Sequence, residues 1–226
     1  MVTVYSVRFE GGEDWFTELH RRLERSIRKN MPTATVEMEV VDPPESLTPI
    51  ERNHYKFLRW VDFVERTPGK LILLDGDIIV NGDLEEAFGE FDVAITERSE
   101  GAAMPLNGGV VFLNDTEGAR EFMRRWLKWE HEYHDNQEQY RDWYHIYYGP
   151  NQTALGLLLE YDADGIEIAK LPCRKWNACE DDYPYCKKAK AVHIKSARAR
   201  RAMTNGVEWR YMPPEFHELY AVWRKY

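Results

Sequence analysis

Four apolar residues, Leu71-Ile72-Leu73-Leu74, run without interruption into Asp75-Gly76-Asp77. A strand-length run with no polar alternation is buried on both faces, which requires helices packed on each side of the sheet that holds it. Two carboxylates then stand at its carboxyl end, where open α/β sheets bind ligands. Acids this close repel and raise each other's pKa unless a cation lies between them. A divalent ion such as Mn²⁺ or Mg²⁺ takes oxygen ligands and fills its remaining positions with phosphate and water. Gly76 lets a ligand come close to the backbone. Taken alone, the same residues also fit an acidic turn after a strand.

The rest of the chain alternates strand and helix patterns. Val2 to Val7 is β-branched and aromatic and stops at Gly11-Gly12, and Asp14 can cap the helix that follows. Phe16, Leu19, Leu23 and Ile27 recur at helical spacing, Thr35 to Val41 predicts a second strand, and Pro43, Pro44 and Pro49 predict a loop. Phe57, Leu58, Val61 and Val64 mark a second helix between Asn53 and Arg66. Short strands are expected at Val93 to Ile95, Val110 to Leu113, Ile166 to Leu171 and Ala191 to Ile194, with helices from Thr116 to Trp129 and through Ala154 to Leu159. The expected class is α/β. At 226 residues the chain reads as one domain, 1–226, with halves at about 1–105 and 106–226.

Composition narrows the function classes. A net charge of −9 disfavours polyanion binding by the molecule as a whole, so any nucleic-acid contact falls to the basic segment 187–201. No stretch has the apolar length of a membrane span, and Met1 to Phe9 lacks the basic head of a signal peptide, so the expected location is the cytoplasm. Cys173, Cys179 and Cys186 are an odd set without a Cys-x-x-Cys pair, which argues against both a disulfide framework and a zinc knuckle.

The apolar strand entering Asp75-Gly76-Asp77 resembles that of the GT-A glycosyltransferases, a fold with a mixed, mostly parallel central sheet flanked by helices. It is most similar to the glycogenin-like and lipopolysaccharide galactosyltransferase group. Leu106-Asn107-Gly108-Gly109-Val110 looks like that family's Asn-[Ser/Gly]-Gly-Val strand, and Gly149-Pro150-Asn151-Gln152 looks like its [Asp/Asn]-Gln helix start. The resemblance implies transfer of a hexose from a nucleoside diphosphate sugar, UDP-glucose or UDP-galactose, to an acceptor hydroxyl, with retained configuration and Mn²⁺ or Mg²⁺ as cofactor.

Carried over by residue, it implies metal ligands at Asp75, Asp77 and His193, with Asp75 also on the ribose. It further implies base and phosphate contacts from Tyr5, Arg8, Asn53, Lys56 and Gly76, and diphosphate neutralisation by Lys195 with Arg198. Asn107, Gly108, Gly109, Asn151 and Gln152 would face the sugar, and Arg174 to Asn177 would lie near the donor. The family pattern His-x-x-Gly-x-x-Lys-Pro-Trp is here His193-Ile194-Lys195-Ser196-Ala197-Arg198. Arg200 and Arg201 read as a solvated basic face. The acceptor is a glycan, a small molecule or DNA. The alternatives are a nucleotidyltransferase, which Gly11-Gly12 is too short to support, and a nucleic-acid-binding module or DNA-base glycosyltransferase working through 187–201.

Overall fold

The computed structural model describes residues 1–10, 14–42, 47–99, 102, 104–204 and 211–226. Gly11, Gly12, Pro43 and Pro44 lie outside the described residues, as do the side chains of Asp14 and Arg201. The strands are β1 Val2–Phe9, β2 Thr35–Val41, β3 Lys70–Leu74, β4 Ile78–Val80, β5 Val93–Glu97, β6 Leu106–Leu113, β7 Ile168–Pro172 and β8 Ala191–His193. The helices are α1 Asp14–Asn30, α2 Pro49–Arg66, α3 Glu117–Asp135, α4 Arg141–Tyr147, α5 Pro150–Tyr161, α6 Cys173–Trp176, α7 Ala197–Thr204 and α8 His217–Trp223.

Six strands form one sheet in the order β2-β1-β3-β6-β5-β7. β1 pairs in parallel with β2 and β3, and β5 with β7, while β6 runs antiparallel to both β3 and β5. The apolar run of β3 is therefore central, as its composition requires. Its side chains alternate between two cores: Leu71 and Leu73 pack with Phe57, Trp60 and Trp126 of α2 and α3, and Ile72 and Leu74 pack with Leu23 and Ile27 of α1. A third cluster gathers Ile79, Val192 and Ile194 with Leu219, Val222 and Trp223 of α8.

Two local devices fix the elements that carry the cleft. Thr48 and Glu51 form a capping box on α2, with the Thr48 backbone N–H donating to Glu51 Oε2 at 2.7 Å and the Glu51 N–H to Thr48 Oγ1 at 3.3 Å. On the other side of the sheet, Ser26 and Asn30 of α1 hold β4. Ser26 Oγ accepts the Val80 N–H at 3.0 Å, and Asn30 Nδ2 donates to the Val80 carbonyl at 2.9 Å. β4 was not expected from the sequence, because Ile78-Ile79-Val80 is short and reads as the tail of the acidic turn. No helix among the described residues is long and apolar enough to cross a membrane.

Candidate active site

The acidic turn leaves the end of β3 and is pinned between strands from distant parts of the chain. The Asp75 N–H donates to the Gly109 carbonyl on β6 at 2.9 Å, and the Asp77 carbonyl accepts the Ile194 N–H at 2.9 Å. The β4–β8 ladder pairs Ile78 with His193, which sets the imidazole beside the two acids. His193 Nε2 lies 3.0 Å from Asp77 Oδ1 and 3.7 Å from Asp75 Oδ2. Asp75, Asp77 and His193 thus form a three-residue group whose ligand-capable atoms lie within 4.8 Å of one another.

The surroundings already balance this negative charge. Lys56 Nζ is 2.5 Å from Asp75 Oδ1, and the Arg200 guanidinium donates to Asp77 Oδ2. Burial alone would raise the Asp77 carboxyl, but His193, Arg200 and Lys195 hold it well below the usual carboxylate range. The donor set also fits a divalent cation. Two carboxylates and a buried imidazole suit a borderline ion such as Mn²⁺. A β-carbon at Gly109 would stand 2.6 Å from His193 Nδ1 and 3.0 Å from Asp75 Oδ2, so glycine leaves the space that these side chains occupy.

Two cavities meet at the acids. The outer one is lined by Val7, Arg8, Phe9, Phe16, Arg52 and the Asp75 to Asp77 turn, and the inner one by Asn107, Gly108, Gly109, Asn151, Gln152, Trp60, Trp126, Tyr148 and Lys195. Asn53, Lys56 and Asp75 border both. The outer wall is aromatic and basic. The inner wall is amide-rich: Asn151 Oδ1 is buried without a hydrogen-bond partner, as is the donor Trp60 Nε1. Gln152 spends its amide nitrogen on the Tyr147 and Tyr148 carbonyls at 2.9 and 3.2 Å. Tyr148 itself, 65% exposed, has a positive φ of 55°, an uncommon conformation for an aromatic residue at the mouth of a cavity. Among the described lining residues of the inner cavity, Asp75 is the one carboxylate.

Most of the expected residues converge here, and four expectations need correction. Tyr5 does not border either cavity: it lies mid-strand, stacked on Phe63 with ring centroids 3.8 Å apart, and its hydroxyl donates to Glu39. Near the end of β1 the cavity is lined instead by Val7, Arg8 and Phe9, while Tyr5 packs in the α2 core. Arg198 is also elsewhere, over the Phe216 ring at 5.9 Å. Arg200, read as part of a solvated basic face, is the residue that reaches Asp77, its guanidinium donating to Oδ2. Asn107 borders the inner cavity, yet its amide is committed to the protein: Oδ1 accepts the Gly109 N–H at 3.2 Å and Nδ2 faces Cys179 Sγ at 3.5 Å. Arg174 to Asn177 lie outside the cleft, with Arg174 paired to Asp182, Trp176 packed on Phe112 and Asn177 bonded to Thr96.

Sequence reasoning missed Trp60, Trp126, Tyr148, Phe9, Phe16 and Arg52. Trp60 could have been found, since Asn53, Lys56 and Trp60 follow one face of α2. Four members of the basic segment are engaged within the molecule, with Lys187 on Glu218 and Lys190 on Glu86 at the surface, Lys195 in the inner cavity and Arg200 on Asp77. The three cysteines are free and buried.

No protein-family model matches the chain. It is 37% identical over 81 residues to the glycosyltransferase GlyE of Streptococcus pneumoniae, a match covering 33% of this chain and 20% of that protein. The chain therefore spans about a fifth of the length of that relative. Among solved structures it superposes on a glycosyltransferase involved in glycosylation of the major capsid of PBCV-1 with a TM-score of 0.65 at 17% identity, covering 91% of this chain and 99% of that one. It also superposes on the galactosyltransferase LgtC, in complex with donor and acceptor sugar analogues, with a TM-score of 0.53 at 13% identity, covering 96% and 99%. The chain has the fold of these glycosyltransferases, with the mixed sheet and flanking helices expected of a GT-A protein.

Proposed function

We propose that this chain is a glycosyltransferase that moves a hexose from a nucleoside diphosphate sugar, UDP-glucose or UDP-galactose, to an acceptor hydroxyl. The observation that carries the reading is the Asp75, Asp77 and His193 group beside two adjoining cavities, with Asp77 on the aromatic, basic one and Asp75 on both it and the amide-lined one. That order, base then diphosphate then sugar, is the order of groups in the donor. The likeness in fold to LgtC and to the PBCV-1 capsid glycosyltransferase supports it.

In this reading Phe9, Phe16, Arg8 and Arg52 border the nucleoside, while Lys56 and Lys195 face the diphosphate from its two sides. Asp75, Asp77 and His193 would hold the divalent cation, Mn²⁺ or Mg²⁺, whose charge offsets that of the diphosphate. Asn151 Oδ1 and Trp60 Nε1, an acceptor and a donor lacking partners inside the protein, suit sugar hydroxyls. Gly108 keeps the opposite wall low, since a β-carbon there would meet the Trp126 ring at 3.2 Å.

In the transfer, the bond between the anomeric carbon and the diphosphate oxygen breaks and one to the acceptor oxygen forms. The acceptor proton passes to the departing diphosphate. Lys195 stabilises the charge that grows on that leaving group, the main electrostatic demand of the step. The inner wall offers amides at Asn151 and Gln152 rather than a second carboxylate, so we assign front-face transfer with retained configuration. Release of nucleoside diphosphate from a panel of sugar nucleotides, with Asp77→Asn as control, tests the class. Release that is independent of both the metal and Asp77 would refute it.

A further inference from the structure

Behind the cleft, α2 and α3 bring three unsatisfied groups together. His54 of α2 faces Glu130 and His134, which stand one turn apart on α3. Their ligand-capable atoms all lie within 4.8 Å of one another. Glu130 is 0% exposed, and neither of its carboxylate oxygens has a hydrogen-bond partner. The same is true of His134 Nε2 and of His54 Nδ1, which lies 3.1 Å from Glu130 Oε2 without the alignment of a hydrogen bond. The group opens onto a cavity lined by Glu51, His54, His131, His134 and Asp135.

Buried polar groups are normally satisfied, and a fully buried carboxylate whose one close polar neighbour is a misaligned imidazole needs a positive partner. A proton shared between His54 and Glu130 would satisfy one contact and leave Glu130 Oε1 and His134 Nε2 as they are. A cation accepts electron pairs from all three residues at once. Two imidazoles and one carboxylate are the donor set of zinc-class ions, whereas Mg²⁺ and Ca²⁺ prefer oxygen throughout. Bonds of about 2.0 to 2.2 Å in a tetrahedral shell separate ligand atoms by roughly 3.3 to 3.6 Å, so the present spacing closes onto an ion with small side-chain rotations. The His131 ring, 5.3 Å from that of His54, stands near the open side, where it or water completes the shell.

We propose that His54, Glu130 and His134 form a second metal site, for Zn²⁺ or an ion of like preference, separate from Asp75, Asp77 and His193. An ion there ties α2 to α3, the helices that supply Asn53, Lys56, Trp60 and Trp126 to the cleft. The site is independent of the proposed transfer reaction and stands or falls by its own measurement.

The test is a Zn²⁺ titration of the wild-type protein followed by the nitrogen NMR signals of its histidine rings. Within two equivalents, the second allowing for the Asp75, Asp77 and His193 group, His54 and His134 are expected to move together in slow exchange before the exposed His145 responds. A His54→Ala/His134→Ala variant, with its fold checked by circular dichroism, is expected to bind one zinc fewer by elemental analysis and to lose the zinc-dependent rise in Tm. Ring signals of His54 and His134 that stay unmoved, or move only along with His145, would overturn the site. So would an unchanged zinc count in the double variant.

Discussion

Gly109 leaves open the space that the His193 imidazole fills: a β-carbon there would lie 2.6 Å from Nδ1 of that ring. The ring cannot yield easily, because it is buried and its backbone is locked in the β4–β8 ladder. Gly109→Ala is therefore expected to displace His193 and cost about 1 to 3 kcal/mol of stability by overpacking. Metal affinity should fall by about 10- to 100-fold, the usual effect of disturbing a ligand's orientation. Calorimetric Mn²⁺ titration and urea unfolding check the two parts separately.

Asp77 is the anion that Arg200 and His193 share in a buried setting. Removing it breaks two buried charge contacts at once, and loss of one partner from a buried pair typically costs about 3 to 5 kcal/mol. Asp77→Ala should lower the unfolding midpoint even in metal-free buffer. Asp75→Ala should cost less, because Asp75 is more exposed and its partner Lys56 can turn to water. Parallel denaturation of both variants measures the difference.

Most of this arrangement was legible from β3 and its acids, and the reasons for the misses are physical. An uninterrupted apolar run specifies a central strand without knowledge of its partners, and the two acids at its end mark where the cleft lies. Asn151 and Gln152 were picked out by their resemblance to a family helix start, and both line the inner cavity. Tyr5 was misplaced because period-two alternation does not say which face of β1 is core until α2 has packed on it. Arg200 was missed because its contact with Asp77 spans 123 positions, and a basic run looks the same whether it faces water or a buried acid. His54, Glu130 and His134 carry no local signature, since their proximity depends on how α2 crosses α3.

His20 supplies a pH dependence. Burial first, and the nearby Arg8 second, lower its pKa from 6.5 to about 4. Between those values the unfolded chain binds a proton that the folded chain does not, so stability rises with pH across this window. The contribution is complete above about pH 6.5 and is lost as pH falls through about 4, a change on the order of 3 kcal/mol. His20→Gln should flatten that part of the profile. Denaturation midpoints at pH 7 and pH 4.5 for both proteins would show it.

Trp60 and Asn151 separate binding from folding. Trp60 Nε1 and Asn151 Oδ1 have no partner in the protein, so Trp60→Phe should leave Tm nearly unchanged while weakening sugar nucleotide binding. Loss of one such hydrogen bond corresponds to about 0.5 to 1.5 kcal/mol, or roughly 2- to 13-fold in Kd. The nucleoside diphosphate without its sugar should bind both proteins alike. Titration calorimetry with the two ligands makes the comparison.

The central claim is that Asp75 and Asp77 share a divalent cation with a sugar-bearing diphosphate, and a thermal-shift panel tests it most directly. Sugar nucleotides bind the native state only and raise Tm by mass action. The expected result is a rise with UDP-glucose or UDP-galactose that requires Mn²⁺ and disappears in Asp77→Asn. A rise of equal size without Mn²⁺, or one that persists in Asp77→Asn, would contradict the account.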